Sequence, residues 1–263
     1  MMPRVRRREA VARGDQGMAL VLVLWIVAAL AIFASSLGGV VRQEAAVGGV
    51  TRNMAEGRAV GEAAIYLTLQ RMATSPTNMK AFESVTVPVA GRIIPVEVIP
   101  WSGLVNINNA PPALLALVLS RFSGLGSGPA EAMAQAIVQT REEMRRRSIR
   151  VPFEATEDLL QVPGMTYAIY APLRHFVVAD SDGRPGVNLE ASPLALRAVL
   201  ETADVGGIRQ AQSSSRYTVI ARVPFEAAGA VLVMRQVDVR QQRPMGQLPW
   251  TDFSSMQVWQ GRM

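Results

Sequence analysis

A long uncharged segment near the N-terminus constrains this chain more than any other feature. From Gly17 to Val41 the sequence GMALVLVLWIVAALAIFASSLGGVV contains no charged residue. About 20 apolar residues are enough for a helix to cross a bilayer with its backbone hydrogen bonds closed internally. The sequence therefore predicts a transmembrane helix over residues 18–41.

Basic residues lie mainly on one side of this segment. Only Arg42 follows it immediately, whereas five arginines precede it: Arg4, Arg6, Arg7, Arg8 and Arg13. The positive-inside rule then predicts a single-pass protein with a cytoplasmic N-terminus. The remaining alternative is a secretory signal peptide cut near residues 34–36, although the apolar run exceeds the roughly 7–15 residues usual for one.

The composition excludes several kinds of chemistry. The chain has no cysteine, which excludes disulfides, thiolate metal sites and a cysteine nucleophile. Its single histidine, His175, lies in the apolar sequence LRHFVV and is expected to be a packed side chain. No phosphate-binding or dinucleotide motif follows a predicted strand, so we expect no enzymatic activity.

One acidic segment resembles the start of a calcium-binding loop. Asp180-Ser181-Asp182-Gly183 begins like a calcium loop but lacks the later bidentate acid at the expected spacing. We interpret it as an Asx turn and expect no cofactor, with calcium as the alternative. The net charge of +6 is concentrated before the apolar segment, so nucleic-acid binding is not indicated.

The start of the apolar segment resembles the processing site of type IV pilin-like proteins. Basic residues are followed by Gly17 and then by Met18-Ala19-Leu20-Val21-Leu22. The resemblance implies that a prepilin peptidase cuts after Gly17 and that Met18 becomes the N-methylated first residue. Most members carry glutamate at the fifth mature position, where this chain has Leu22. The absence of that acid is typical of the K-type minor pseudopilins of type II secretion, which cap the filament.

Two further patterns surround a central helical region. No proline interrupts the chain from the apolar segment to Pro76, and apolar residues at helical spacing predict one stripe along this helix: Val47, Val50, Met54, Gly61, Ala64, Ile65, Leu69 and Met72. Alternating β-branched residues predict a hairpin around Ala90-Gly91 and a second one within residues 216–240. A long helix on a small antiparallel sheet is the pilin architecture.

A repeated motif brackets the helical region. VNINNAP at residues 105–111 returns as VNLEASP at residues 187–193, each followed by a helical pattern. Proline at a helix start and a preceding cap residue make Asn106 and Asn188 predicted turn and cap residues. The paired motif closely resembles K-type pseudopilins, in which a helical domain is inserted between strands of the sheet. Here the second helical unit is shorter than in the family, since ETADVGGIRQAQSSS leads directly to the last strands.

Between the two motifs, residues 153–178 predict two short helices around Val162-Pro163-Gly164, similar to helix-hairpin-helix or SAM-like modules. Such hairpins bind nucleic-acid phosphate through backbone amides, but Thr166 replaces the second glycine and no Lys or Arg lies between Val151 and Leu173. An arginine cluster upstream is interpreted as a solvated helix face: Arg141, Arg145, Arg146, Arg147 and Arg150.

The sequence thus predicts an α+β chain in five parts. These are a leader (1–17), a transmembrane half-helix (18–41), the helix and first strands of a pilin-like domain (42–104), an inserted helical domain (105–203), and the last strands with a tail (204–263). The resemblance implies a tip subunit of the bacterial inner membrane with a periplasmic domain. It also implies as partners the I-, J- and H-type minor pseudopilins, the major pseudopilin, the prepilin peptidase and the secretion platform. The alternative function is a minor type IV pilin for adhesion or DNA uptake.

Overall fold

The computed structural model describes residues 15–74, 80–181, 185–203, 214–225, 229–239 and 248–260, with side chains described except at 15–19, 33–47 and 259–260. Its helices are α1 (Asp15–Thr74), α2 (Pro112–Phe122), α3 (Ser127–Arg146), α4 (Tyr167–Leu173) and α5 (Leu194–Thr202). Its strands are β1 (Glu83–Val89), β2 (Arg92–Pro100), β3 (Val105–Asn106), β4 (Val177–Val178), β5 (Arg216–Phe225), β6 (Gly229–Val239) and β7 (Trp250–Gln260). Residues 1–53 and 54–263 form two compact units.

An antiparallel sheet with the order β1-β2-β5-β6-β7 forms the base of the second unit. The β1–β2 hairpin turns at Ala90 and Gly91, whose φ angles of 49° and 75° are those of a tight hairpin turn with left-handed central residues. The β5–β6 hairpin pairs Arg216 with Asp238 at one end and Phe225 with Gly229 at the other. Both predicted hairpins and the predicted α+β class are confirmed. The strand β7 extends this sheet by a fifth member.

The end of α1 packs on one face of the sheet. The predicted stripe is confirmed from Gly61 to Met72, where Ala64, Ile65 and Leu69 are completely buried. Two glycines permit the close approach, because a Cβ at Gly57 would lie 2.6 Å from Val231 Cβ and one at Gly61 would lie 2.6 Å from Val233 Cγ2. The stripe is wrong at Val50, which is 44% exposed, and the side chain of Val47 lies outside the described residues.

The chain between β2 and β5 forms a second hydrophobic core of its own. Helices α2, α3 and α5 and two 3₁₀ turns surround side chains that include Ile107, Leu114, Ile137, Phe153, Leu159 and Leu196. The predicted pair of short helices is present as a 3₁₀ helix (Thr156–Gln161) and α4, with Gly164 between them at a φ of 84°. The short strands β3 and β4 pair in parallel and so connect the segment after β2 to the segment after α4.

Candidate functional site

Residues 20–32 of α1 expose apolar side chains in every direction. Ten large apolar residues in this stretch are between 51% and 74% exposed, among them Leu22 at 64% and Trp25 at 74%. A helix that is apolar all round is stable only where lipid or other helices cover it. The described part of this segment can therefore serve as an anchor or as a helix-packing surface.

The predicted processing and orientation residues are only partly described. Gly17 and Met18 fall within α1, but their side chains lie outside the described residues, as do Arg4, Arg6, Arg7, Arg8 and Arg13 entirely. Across the residues with described placement, no helix has a stretch long and apolar enough to span a membrane. Within the predicted span 18–41, side chains are described only at residues 20–32.

The two copies of the repeated motif form equivalent turns. In the first copy Asn106 Oδ1 accepts from the amide of Asn108 at 3.1 Å, and in the second Asn188 Oδ1 accepts from the amide of Glu190 at 3.1 Å. In addition, Asn106 Oδ1 accepts from the amide of Asp180 at 3.2 Å, and its Nδ2 donates to the Asp180 carbonyl at 2.9 Å. Both asparagines are turn residues, as predicted.

Arginines hold the same carbonyl oxygens in both turns. Arg141 donates to the Ile107 and Ala110 carbonyls at 3.4 and 2.8 Å. At the equivalent places of the second copy, Arg197 donates to Leu189 and Ser192 at 2.8 and 3.4 Å. The sequence does not predict the Arg141 contact, since 31 residues separate Arg141 from Ala110. Arg197 lies within one helical turn of its motif, so its contact could have been predicted from the local sequence.

The interpretation of the arginine cluster as a solvated helix face is wrong for one member, Arg141. Arg141 is only 7% exposed, and burial lowers the pKa of its guanidinium. Arg145 donates to the Asn108 carbonyl and to Glu142 Oε1, each at 2.8 Å. Arg145 is nevertheless exposed, as are Arg146, Arg147 and Arg150. The solvated arginine surface at the end of α3 is consequently smaller than the sequence indicates.

The helical hairpin is closed by its own side chains. Thr166 Oγ1 accepts from the amide of Ile169 at 3.4 Å, so the residue that replaces the expected glycine caps α4. Tyr170 Oη lies 3.3 Å from Thr156 Oγ1, and burial raises the pKa of Tyr170 to about 12. From residue 153 to 173 the hairpin carries three acids, Glu154, Glu157 and Asp158, and no Lys or Arg, so its charge is unfavourable for a phosphate.

His175 is a half-buried residue in the turn between α4 and β4. Burial and the neighbouring Arg174 lower the pKa of His175, which keeps its imidazole neutral at pH 7. Asp180 is bound to Arg216 through an ion pair, whereas Asp182 and Gly183 lie outside the described residues. In the described part of the chain no three His, Asp or Glu side chains are grouped so that they could hold a metal ion.

The chain is similar in fold to a solved structure but matches no family model or curated protein. A similar solved structure is the crystal structure of the GspK-GspI-GspJ complex from the enterotoxigenic Escherichia coli Type 2 Secretion System. A chain of that complex is 14% identical, and the match covers 76% of this chain and 94% of that one with a TM-score of 0.49.

Proposed function

We propose that this chain is a minor pseudopilin of a bacterial type II secretion system, and more narrowly its K-type tip subunit. In this role the protein is non-enzymatic. It is held in the inner membrane by residues 18–41, with the arginines of the leader in the cytoplasm and the remaining domain in the periplasm. After cleavage between Gly17 and Met18 it joins other minor pseudopilins and starts the periplasmic filament.

The observation that carries the proposal is that α1 has two different surfaces along its length. Residues 20–32 expose apolar side chains on all sides, whereas Gly57, Gly61, Ala64 and Ile65 form a stripe packed on an antiparallel sheet. An anchor or filament helix needs the first surface, and a folded head domain needs the second. The basic leader and the glycine before the apolar segment add the processing signal.

The tip assignment depends on Leu22. A carboxylate within hydrocarbon is costly unless it is paired, and in most pilin-like proteins the acid at this position is thought to pair with the terminal amine of a neighbour. A subunit with nothing above it has no such amine to bind. Leu22 leaves no carboxylate there.

The decisive experiment measures the intact mass and the N-terminal residue of the protein from membranes with and without a prepilin peptidase. We expect a methylated N-terminus at Met18 that depends on the peptidase. Gly17→Ala should leave the precursor uncut, whereas Gly14→Ala, a glycine three residues earlier in the leader, should be processed normally. A start at Met1 or a cut near residue 36 would overturn the proposal.

The alternative, a minor type IV pilin for DNA uptake, is tested separately. Its best support is the exposed group of Arg146, Arg147 and Arg150 at the end of α3. Duplex binding should be measured before and after these three arginines are changed to glutamate. Binding that is present and then lost would favour the alternative, and co-purification with other pseudopilins would favour the secretion system.

A further inference from the structure

A cleft opens on the face of the sheet that points away from α1. We call it the outer cleft; its sheet side includes Pro95, Glu97, Ile220 and Arg222, and its other side includes His175 and Leu194. The residues alternating with these on β2 and β5, such as Val96 and Ala221, belong to the core beneath α1. The cleft has a volume of about 350 Å³, which is enough to receive a few side chains.

The cleft is apolar, with apolar residues left uncovered at its border. Leu194, in the first turn of α5, is 66% exposed, and Ile93, two residues before Pro95 on the same face of β2, is 70% exposed. The outward face of an antiparallel sheet is ordinarily polar when only water covers it. The apolar residues at the cleft therefore favour coverage by another protein element.

Two opposite charges lie in the cleft without a direct partner. Glu97 on β2 and Arg222 on β5 attract each other, but among the described residues neither takes part in a hydrogen bond or an ion pair. His175 is neutral and adds no charge. A partner that brings one acidic and one polar or basic side chain to an apolar surface would therefore complement the cleft.

The strands beneath the cleft determine how such a partner binds. The strand β2 is paired with β1 and β5, and β5 is paired with β2 and β6, so their backbone groups are already used. An added strand cannot bind here through its main chain, and recognition must come from side chains. A helix with one apolar stripe is the element that covers an open sheet face in this way.

We propose that the outer cleft binds an amphipathic helix of a partner subunit. Its apolar stripe covers Pro95, Ile220 and Leu194, and an acidic side chain beside the stripe meets Arg222. The proposal rests on the proposed function in one respect, since it takes the partner to be another subunit of the same filament.

The test uses the full chain in membranes of a secreting cell. A photo-crosslinking amino acid is placed at Leu194, and the same probe at Tyr167, which is 63% exposed and does not line the cleft, is the control. We expect the probe at Leu194 to crosslink to a helical segment of another subunit that has an acid next to its apolar stripe. The probe at Tyr167 should give no such product.

A charge reversal examines the same contact independently. Arg222→Glu should lower the yield of the Leu194 product about tenfold, because attraction to the acid becomes repulsion. Arg121→Glu, an exposed arginine at the end of α2 that does not line the cleft, should leave the yield unchanged. Changing the crosslinked acid to arginine should restore the yield for Arg222→Glu.

Three results would overturn the proposal: no product at Leu194 in secreting cells, a product with a second copy of this chain, or a yield unaffected by Arg222→Glu. Normal processing at Met18 together with any of these would remove the cleft proposal alone. A helical product at Leu194 from a chain that starts at Met1 would instead remove the proposed function and keep the cleft as a helix-binding site.

Discussion

Single side chains decide how firmly the two repeated turns are held. Between described residues, Asn106 makes three hydrogen bonds to backbone groups, of which two connect the turn to Asp180, whereas Asn188 Oδ1 accepts one, from the Glu190 amide in its own turn. Asn106→Ala should therefore cost about 1–3 kcal/mol of unfolding free energy, because buried backbone groups lose their partners. Asn188→Ala should cost about 1 kcal/mol, typical of a lost cap.

Urea unfolding of the full chain in detergent checks this difference, with each asparagine changed to alanine in turn. Equal losses would mean that the contacts to Asp180 contribute nothing. The two asparagines are equivalent in sequence, so the sequence predicts their shared turn geometry. It does not predict their unequal importance, because Asp180 lies 74 residues from Asn106 and is brought to it by the pairing of β3 with β4.

Glu97 gives a prediction for the pH dependence of stability. Although Glu97 is exposed on β2, neighbouring groups partly desolvate its carboxyl and raise its pKa above the ordinary value of 4.5, and Arg222 opposes the shift. The folded state then binds the proton more tightly than the unfolded state, so this residue's contribution to stability falls as pH rises from 4.5 through the raised pKa. Glu97→Gln should stabilise the protein at pH 7 relative to the parent and should lose that advantage at pH 4.

The urea midpoints of the parent and of Glu97→Gln, each measured at pH 7 and at pH 4, test this prediction. Glu131→Gln, on the exposed side of α3, serves as the control and should give the same difference at both. A variant that is less stable than the parent at pH 7 would show that the carboxylate makes a favourable pair in the isolated protein.

At the scale of elements, α1 carries glycines with opposite roles. A Cβ at Gly61 would lie 2.6 Å from Val233 Cγ2 and 3.0 Å from its Cβ, whereas one at Gly49 would meet nothing within 4 Å. Gly61→Ala should therefore destabilise the protein by about 1–3 kcal/mol through overpacking. Gly49→Ala should stabilise it by about 0.5–1 kcal/mol through helix propensity.

Thermal unfolding of both variants in the same detergent measures whether each substitution stabilises or destabilises the protein. Stabilisation by Gly61→Ala would indicate that the contact between α1 and β6 is looser than 2.6 Å implies. A Cβ at Gly103 would lie 2.0 Å from the Ala191 carbonyl oxygen, so a third close approach joins the segment after β2 to the second repeated turn.

The elements differ in how well the sequence predicts them. Both hairpins are marked by alternating β-branched residues and by turns that can adopt positive φ, and these signals are local. The strand β7 is different, since Trp250–Gln260 contains small polar residues and little alternation, and it becomes a strand through pairing with β6. Similarly, β3 and β4 are two residues long and exist only as a pair.

Along its length the molecule has two kinds of surface, an exposed apolar helix segment and a packed head domain. The tip assignment depends on the first of these, around Leu22. Leu22 is 64% exposed on a helix segment that is apolar all round. An unpaired acid in a membrane helix costs at most about 2.5–3.5 kcal/mol, the value at the helix centre, and less near the end where Leu22 lies. If this chain occupies the tip, no neighbour supplies that amine.

Leu22→Glu should consequently lower the amount of protein secreted in a strain that depends on this subunit, while Leu22→Gln, which adds polarity without charge, should have a smaller effect. The measurement is the secreted fraction at equal membrane levels of each variant, because reduced insertion would mimic a defect in assembly. Secretion that is unchanged or improved by Leu22→Glu would mean that the acid finds a terminal amine. The subunit would then lie below another one in the filament, and the tip position would be wrong even if the pseudopilin class is right.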